Sequence, residues 1–248
     1  MEPKVKSLDK ALRILSCFSL EEPELGVTEI SKRFDLYKSN VHNIVATLEQ
    51  NGFLERNEAT GKYRLGLKVM RLAHVVSSSM GFHSVIHRSV KELSETIDEI
   101  VYFGIPYGDD VMYMEGAFPE KIYSLRWVAG MTAPLACTGI GKAILAFSDG
   151  KTVDRVLARP MERFTDNTIT DPETMRAELA TTRKRGYSTD NMEHEYGIKC
   201  VGVPVFNRSG ELLGALSATG PSLRFSEARV EQFVALLKEK AAMIRDSL

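Results

Sequence analysis

Within its first 66 residues the chain changes hydrophobic period, and that change restricts the folds open to it more than any other feature. Apolar side chains recur at steps of three and four in three short successive stretches; after Asn51 and Gly52 the pattern becomes two brief extended runs around a polar turn. Such a pattern predicts three helices closed by a hairpin. The first stretch carries Leu8, Ala11, Leu12, Leu15 and Phe18, with Ser7 positioned to cap it. The second begins at Thr28 as a cap and puts Ile30 and Phe34 on one face. Residues 35–38 read as a tight turn. The third stretch, residues 39–50, has Val41, Ile44, Val45 and Leu48 at i, i+3, i+4 and i+7, an apolar stripe that faces the other two helices. Residues 53–56 and 62–65 then pair as a wing.

The opposite face of the third helix has an unusual composition. Ser39, Asn43, Ala46 and Gln50 lie there, flanked by Asn40, His42 and Thr47, and Lys38 stands at its start. Amide side chains bond adenine edges in pairs, and small residues let a helix approach the floor of the major groove. Arg56, Lys62 and Arg64 put positive charge on the hairpin, where phosphate or minor-groove contacts belong if the third helix occupies the adjacent major groove. Double-stranded DNA is therefore the expected partner. Bulk charge does not advertise it: the net charge is −1, and residues 1–66 hold ten Lys plus Arg against ten Asp plus Glu. A basic footprint needs the acids, Glu21, Glu22 and Glu24 among them, to sit in a separate loop. A winged helix that binds only protein is the alternative, and it predicts no salt-dependent DNA affinity.

From Gly66 a helix with Leu67, Met70, Ala73 and Val76 runs to a break at Ser77–Ser79 and Gly81, and reads as a linker. A helix over residues 84–97 follows, with Ile86, Val90, Leu93 and Ile97 in phase, and then a hairpin of residues 100–106 and 111–115 around Gly108. Residues 121–128 are expected as another strand, with Ile122, Leu125 and Met131 as candidate apolar walls of a site. The run Cys137, Thr138, Gly139, Ile140, Gly141, Lys142 leads into an apolar helix. Glycines at a helix start expose N–H groups that hold a carboxylate or phosphate, or they simply permit close packing. The run is neither a Walker loop nor a dinucleotide fingerprint, because Ala136 and Ile144 stand where glycines are required. Helices over residues 149–158 and 171–185, strands over 199–206 and 211–219, and a last helix capped by Ser226 complete an α+β domain with a mixed antiparallel sheet.

A chain of 248 residues, 44% hydrophobic and 26% charged, can bury one large core or two ordinary ones. No apolar run approaches the roughly 18 residues a spanning helix needs, and the N-terminal stretch is amphipathic where a secretory signal is uniformly apolar. No membrane association and a cytoplasmic location are expected. Cys17, Cys137 and Cys200 are scattered and odd in number, which suits free thiols. An enzyme using Cys200 as nucleophile and His194 as base lacks a visible group to orient the histidine. Cys137, His194, Glu195 and Cys200 match no strong metal-ligand spacing. No catalytic residue, metal site or cofactor is expected.

Taken together, the helix-turn-helix with "YRLG" after its wing, the segment "PLACTGIGKAIL" and the segment "GYSTDNMEHEYGIKCVGVPVFNRSGELLGALSATGP" resemble the IclR family of bacterial transcription regulators from about residue 5 to the end. The resemblance implies a winged helix-turn-helix over residues 1–66, a linker helix over 67–82 and a GAF-like small-molecule-binding domain over 83–248. It also implies homodimers that commonly pair into tetramers, a palindromic operator, and a small metabolite as effector, often a carboxylic acid. The effector-contacting positions carried over are Gly139, Ile140, Asp190, Cys200, Ser217 and Thr219. Ser217 and Thr219 alternate on one strand and can donate to a carboxylate, whereas Asp190 would repel an anion unless it accepts from ligand hydroxyls or is protonated, which hints at a hydroxy or keto acid. Tyr37, Asn40 and Asn43 stand where the family often has proline, threonine and arginine, so operator sequence does not carry over. Whether ligand weakens or strengthens DNA binding is left open by the sequence.

Overall fold

The computed structural model describes residues 3–119 and 128–248, which separate into two compact units, residues 1–80 and 81–248. The strand expected over 121–128 falls, except for Val128, outside the described residues, as do Ile122 and Leu125.

The first unit contains α1 (Lys6–Leu15), α2 (Val27–Phe34), α3 (Lys38–Gln50), β1 (Leu54–Arg56), β2 (Tyr63–Leu65) and α4 (Lys68–Ser79). Its core is Ile14, Leu25, Ile30, Val41, Val45, Leu54 and Tyr63. Asp35, in the left-handed region at φ 51°, ends α2 and turns the chain into α3. β1 and β2 pair antiparallel, Leu54 opposite Leu65, and Leu25 adds a bridge to Tyr63 through two 2.9 Å hydrogen bonds. Gly66 is required by close approach: a Cβ there would lie 2.4 Å from the Gly52 carbonyl oxygen.

Two local expectations are corrected. α1 starts one residue before Ser7, with Val5 as its N-cap and no side-chain capping bond. The stripe read from Leu8 and Leu12 is not the buried one: these are 56% and 55% exposed, and Ile14 is the α1 residue wholly in the core. The N-terminus of α2 is at Gly26, whose N–H donates to the Glu29 carboxylate at 2.6 Å, in place of a Thr28 cap. Helix α4 has no buried residue at all.

The second unit runs α5 (His83–Ile97), β3 (Ile100–Tyr107), β4 (Asp110–Ala117), β5 (Thr132–Pro134), α6 (Gly139–Phe147), α7 (Gly150–Leu157), α8 (Pro172–Arg185), β6 (Ser188–Asn191), β7 (Ile198–Phe206), β8 (Leu212–Pro221) and α9 (Glu227–Ser247). The strands form one antiparallel sheet in the order β5-β4-β3-β8-β7-β6. Alternation along the strands sends Val101, Phe103, Val201, Val203, Leu216 and Ala218 to a core shared with α5 and α9. The other face packs on α6, α7 and α8 through Ile140, Ile144, Met175, Leu179 and Ala215. Helix boundaries follow local chemistry: the Asp149, Asp171 and Ser226 side chains accept the N–H of Thr152, Thr174 and Arg229, and Gly186 ends α8 at φ 77°. Buried Glu99 takes a bidentate bond from Arg224, at 2.7 and 2.6 Å, tying the start of β3 to the corner between β8 and α9. Strand β6, absent from the sequence reading, is a polar edge strand that pairs with β7. Among the described residues no helix is long and apolar enough to cross a membrane.

Candidate functional site

In the first unit, α3 turns Val41 and Val45 into the core and leaves Lys38, Ser39, Asn40, His42, Asn43 and Thr47 exposed on its other side. Tyr37, its N-cap and 82% exposed, extends that surface; the sequence reading marked it only as a departure from proline. The Thr47 hydroxyl bonds back to the Asn43 carbonyl at 2.8 Å. On the wing, Arg56 and Arg64 are exposed and Lys62 is half-buried. The acids do not lie in a separate loop as a basic footprint would require. Lys62 pairs with Glu29 at 2.7 Å, Arg64 with Glu55 at 3.2 Å, and Glu24 accepts from Asn57 and Thr60 in the wing turn. These exposed pairs are weak, and a phosphate can exchange for either carboxylate. Lys38 and Arg56 are the cations of this surface that pair with no carboxylate among the described residues.

In the second unit, a cavity of about 240 Å³ lies between the sheet and the start of α6. Gly139, Ile140, Asp190, Cys200, Ser217 and Thr219, carried by the four elements α6, β6, β7 and β8, all line it. The register explains this. Asp190 on β6 is opposite Cys200 on β7, which is opposite Thr219 on β8; two residues along, Gly202 is opposite Ser217, and Ser217 is opposite Tyr102 on β3. Directly opposed residues share a face, so these side chains make two polar rows under α6. Helix α6 can lie this close because Gly139 and Gly202 lack side chains: a Cβ on Gly202 would be 2.3 Å from the Gly139 carbonyl oxygen, and one on Gly139 would be 2.8 Å from Cys200 Cβ. Ser188 Oγ donates to that same Gly139 carbonyl and anchors the turn. Close packing and an accessible helix start thus coincide in one pair of glycines.

The Thr138 side chain accepts the Gly141 N–H at 3.0 Å, and the first intrahelical bond runs from Lys142 N–H to the Thr138 carbonyl. The N–H groups of Gly139 and Ile140 precede it at a helix start that lines the cavity, the Gly139 N–H interacting with the Cys200 sulfur. Tyr102 and Tyr113, edge to face at 5.0 Å, form the apolar wall together with Met131. His194 and Glu195, not among the effector-contacting positions expected from the sequence, also line the cavity. Their turn is held from behind: Thr165 Oγ1 donates to the Met192 carbonyl at 2.6 Å, Thr168 Oγ1 to the Glu193 carbonyl at 2.5 Å, and the Phe164 ring packs on His194 at 4.9 Å. No local signal in the sequence announces these contacts, which join residues 25–30 apart.

Behind the cavity lies a buried ionic group. Lys142, 1% exposed, bonds Glu193 Oε1 at 2.5 Å, and the other oxygen of Glu193 has no hydrogen-bond partner among the described residues. The Glu193 N–H donates to Asp190 Oδ1 at 2.7 Å. Burial lifts both carboxyl groups above their ordinary values, outweighing Lys142 for Glu193 and the Glu193 N–H and Lys142 for Asp190. Burial and the Asp190 charge also push the Cys200 thiol well above its ordinary value, and burial pushes Cys137 up to about 12. A thiol held neutral is a poor nucleophile, so Cys200 suits a packing and weak-donor role. Among the described residues, no group of three or more His, Cys, Asp or Glu side chains is placed to hold a metal ion. A larger open groove of about 660 Å³ runs beside α7 and α8, but its Arg176 and Arg183 are spent on Asp154 and on the Ala146 and Ser148 carbonyls.

Known proteins resemble the chain over both units. The family described as the bacterial transcriptional regulator IclR C-terminal domain matches residues 74–246, and the IclR helix-turn-helix domain matches residues 7–58. The HTH-type transcriptional regulator XynR of Escherichia coli is 31% identical over 248 residues, covering 99% of this chain and 98% of its own. The regulator KdgR of Escherichia coli is 34% identical over 243 residues, covering 97% and 91%. The crystal structure of an IclR homolog from Microbacterium hydrocarbonoxydans complexed with 4-hydroxybenzoate superposes with a TM-score of 0.83 at 25% identity, covering 97% of this chain and 98% of that one.

Proposed function

Because the chain belongs to the IclR family of bacterial transcriptional regulators, we propose that it reads a palindromic operator with residues 1–66 and senses a small hydroxy or keto acid with residues 83–248, the segment 67–82 linking the two. The observation that carries the sensing half is the convergence of Gly139, Ile140, Asp190, Cys200, Ser217 and Thr219 on one cavity. The ligand carboxylate accepts from the Gly139 and Ile140 N–H groups and from the Ser217 and Thr219 hydroxyls, while the two tyrosines cover its apolar part. Asp190 meets a hydroxyl or carbonyl on the same ligand. A relative that binds 4-hydroxybenzoate supports this class, since that molecule joins a carboxylate to a hydroxyl.

On the DNA side, Asn40 and Asn43 bond base edges, Ser39, His42 and Thr47 shape the approach, and Lys38, Arg56, Lys62 and Arg64 meet phosphates. A palindrome needs two heads. The exposed stripes Leu8 and Leu12 on α1, and Leu67, Met70 and Val76 around α4, are more apolar than a free surface sustains, and they support a homodimer. A ligand that prefers one packing of the sensing unit then changes the spacing of the paired heads, and thereby operator affinity.

The test is fluorescence anisotropy on the DNA upstream of the protein's own gene, at two salt concentrations, with glyoxylate, pyruvate, lactate and 4-hydroxybenzoate. Salt-sensitive, sequence-specific binding that one acid shifts, and that Ser217→Ala with Thr219→Ala renders insensitive to it, supports the reading. No specific binding under any condition overturns it in favour of a protein-only module.

A further inference from the structure

We infer that the cavity binds its acid together with one proton, taken from solvent and held on Asp190. The inference rests on the reading of the cavity as a carboxylate site and adds to it how binding is regulated. Its basis is a charge count around buried side chains. Asp190 and Glu193 are 3% and 5% exposed, and Lys142, 1% exposed, is already engaged by Glu193 at 2.5 Å. An anion seated on the Gly139 and Ile140 N–H groups brings a third negative charge beside a single buried ammonium.

The other groups that face Asp190 offer no second fixed cation. On the far side of Lys142, Glu178 of α8 stands 4.0 Å from its ammonium, and the Arg185 guanidinium is engaged by Glu178 at 2.9 Å. From β7 comes the Cys200 thiol, from β4 the Tyr113 hydroxyl, and from the segment before α6 the Cys137 thiol, all kept neutral by burial. On its own turn are Glu195 and His194, the latter a cation only when protonated. Among the described residues no cation lies within ion-pair distance of Asp190. The incoming carboxylate therefore favours the neutral Asp190, which then turns its O–H toward a ligand oxygen and becomes a donor. Lys142 bonds Glu193 directly and favours its charged form, which leaves Asp190 as the carboxyl that takes the proton.

The sign of the linkage follows. Burial already places the Asp190 carboxyl above its ordinary value, and the bound anion lifts it further. Below the free protein's value Asp190 carries its proton with or without ligand, and affinity is flat. Between the free and the bound values affinity falls as pH rises, by up to tenfold per unit when a whole proton is taken up.

Isothermal titration calorimetry at about pH 7 in phosphate and in Tris, buffers of unlike ionisation enthalpy, counts that proton directly with glyoxylate, pyruvate and 4-hydroxybenzoate as probes. Wild type is expected to take up a measurable fraction of a proton, at most one, per acid bound; Asp190→Asn, isosteric and checked for folding by circular dichroism, is expected to bind with none. Binding without uptake in wild type overturns the proposal and leaves the ligand class standing. Uptake that survives Asp190→Asn and disappears in His194→Gln overturns the assignment to Asp190. If none of the three acids binds, the ligand class fails and the proton uptake with it.

Discussion

Lys142→Met isolates the buried charge behind the cavity. Methionine keeps the length and the apolar stem of the lysine and removes its ammonium, leaving Glu193, 5% exposed, with a carboxylate whose second oxygen already lacks a partner among the described residues. Breaking such a pair from one side costs about 3–5 kcal/mol when the remaining charge stays ionised. Glu193 can avoid this by taking a proton. Its ordinary value is 4.5, so carrying that proton at about pH 7 costs about 3.4 kcal/mol at 1.36 kcal/mol per unit. That figure is a ceiling, because burial already lifts Glu193 in the wild type. A folded-state pKa raised above the unfolded one gives stability that is intact below the unfolded value and lost as pH rises. The variant should therefore approach wild-type stability near pH 4.5 and fall behind it by up to about 1.4 kcal/mol per unit above that. Urea denaturation followed by circular dichroism at several pH values between about 5 and 8 measures the difference. A loss that does not change with pH, or one under about 1 kcal/mol at neutral pH, would refute the view that Lys142 holds Glu193 as an ion.

Gly202→Ala drives a Cβ into the Gly139 carbonyl at 2.3 Å, with no flexible end to yield, so it should destabilise by about 1–3 kcal/mol or more and widen the start of α6, seen as a lowered Tm and a lost response to the acid. Asn43→Ala should weaken specific operator binding by about 1–3 kcal/mol while leaving non-specific binding unchanged; equal loss on both DNAs would remove Asn43 from base readout. Arg56→Ala should weaken both and reduce the slope of log affinity against log salt by about one, whereas Arg64→Ala, relieved of its Glu55 pair, should change the slope less. Met70→Glu places a charge on a residue 65% exposed in the single chain, so folding should be unaffected while sedimentation shifts from dimer to monomer; a dimer that persists would place the interface elsewhere.

What the sequence by itself determined is the part of the fold written in short-range terms. The stripe Val41, Ile44, Val45 and Leu48 sets which face of α3 is exposed, and the caps Asp149, Asp171 and Ser226 with Gly186 set the ends of three helices, because each bond closes within four residues. Ser217 and Thr219 share a face by the pleat alone. Other choices are made between distant segments. Helix α1 offers two apolar sides, and only packing against α3 chooses Ile14 over Leu8 and Leu12. Strand β6 is four polar residues with no alternation to read, and it exists through its ladder to β7. The wing's lysine and arginine look free in the sequence and meet Glu29 and Glu55 in the fold. His194 and Glu195 reach the cavity because Thr165 and Thr168, more than twenty residues away, hold their turn. Local bonds depend on spacing, which a sequence displays; long-range burial and charge pairing depend on which surfaces meet, and tertiary structure alone decides that.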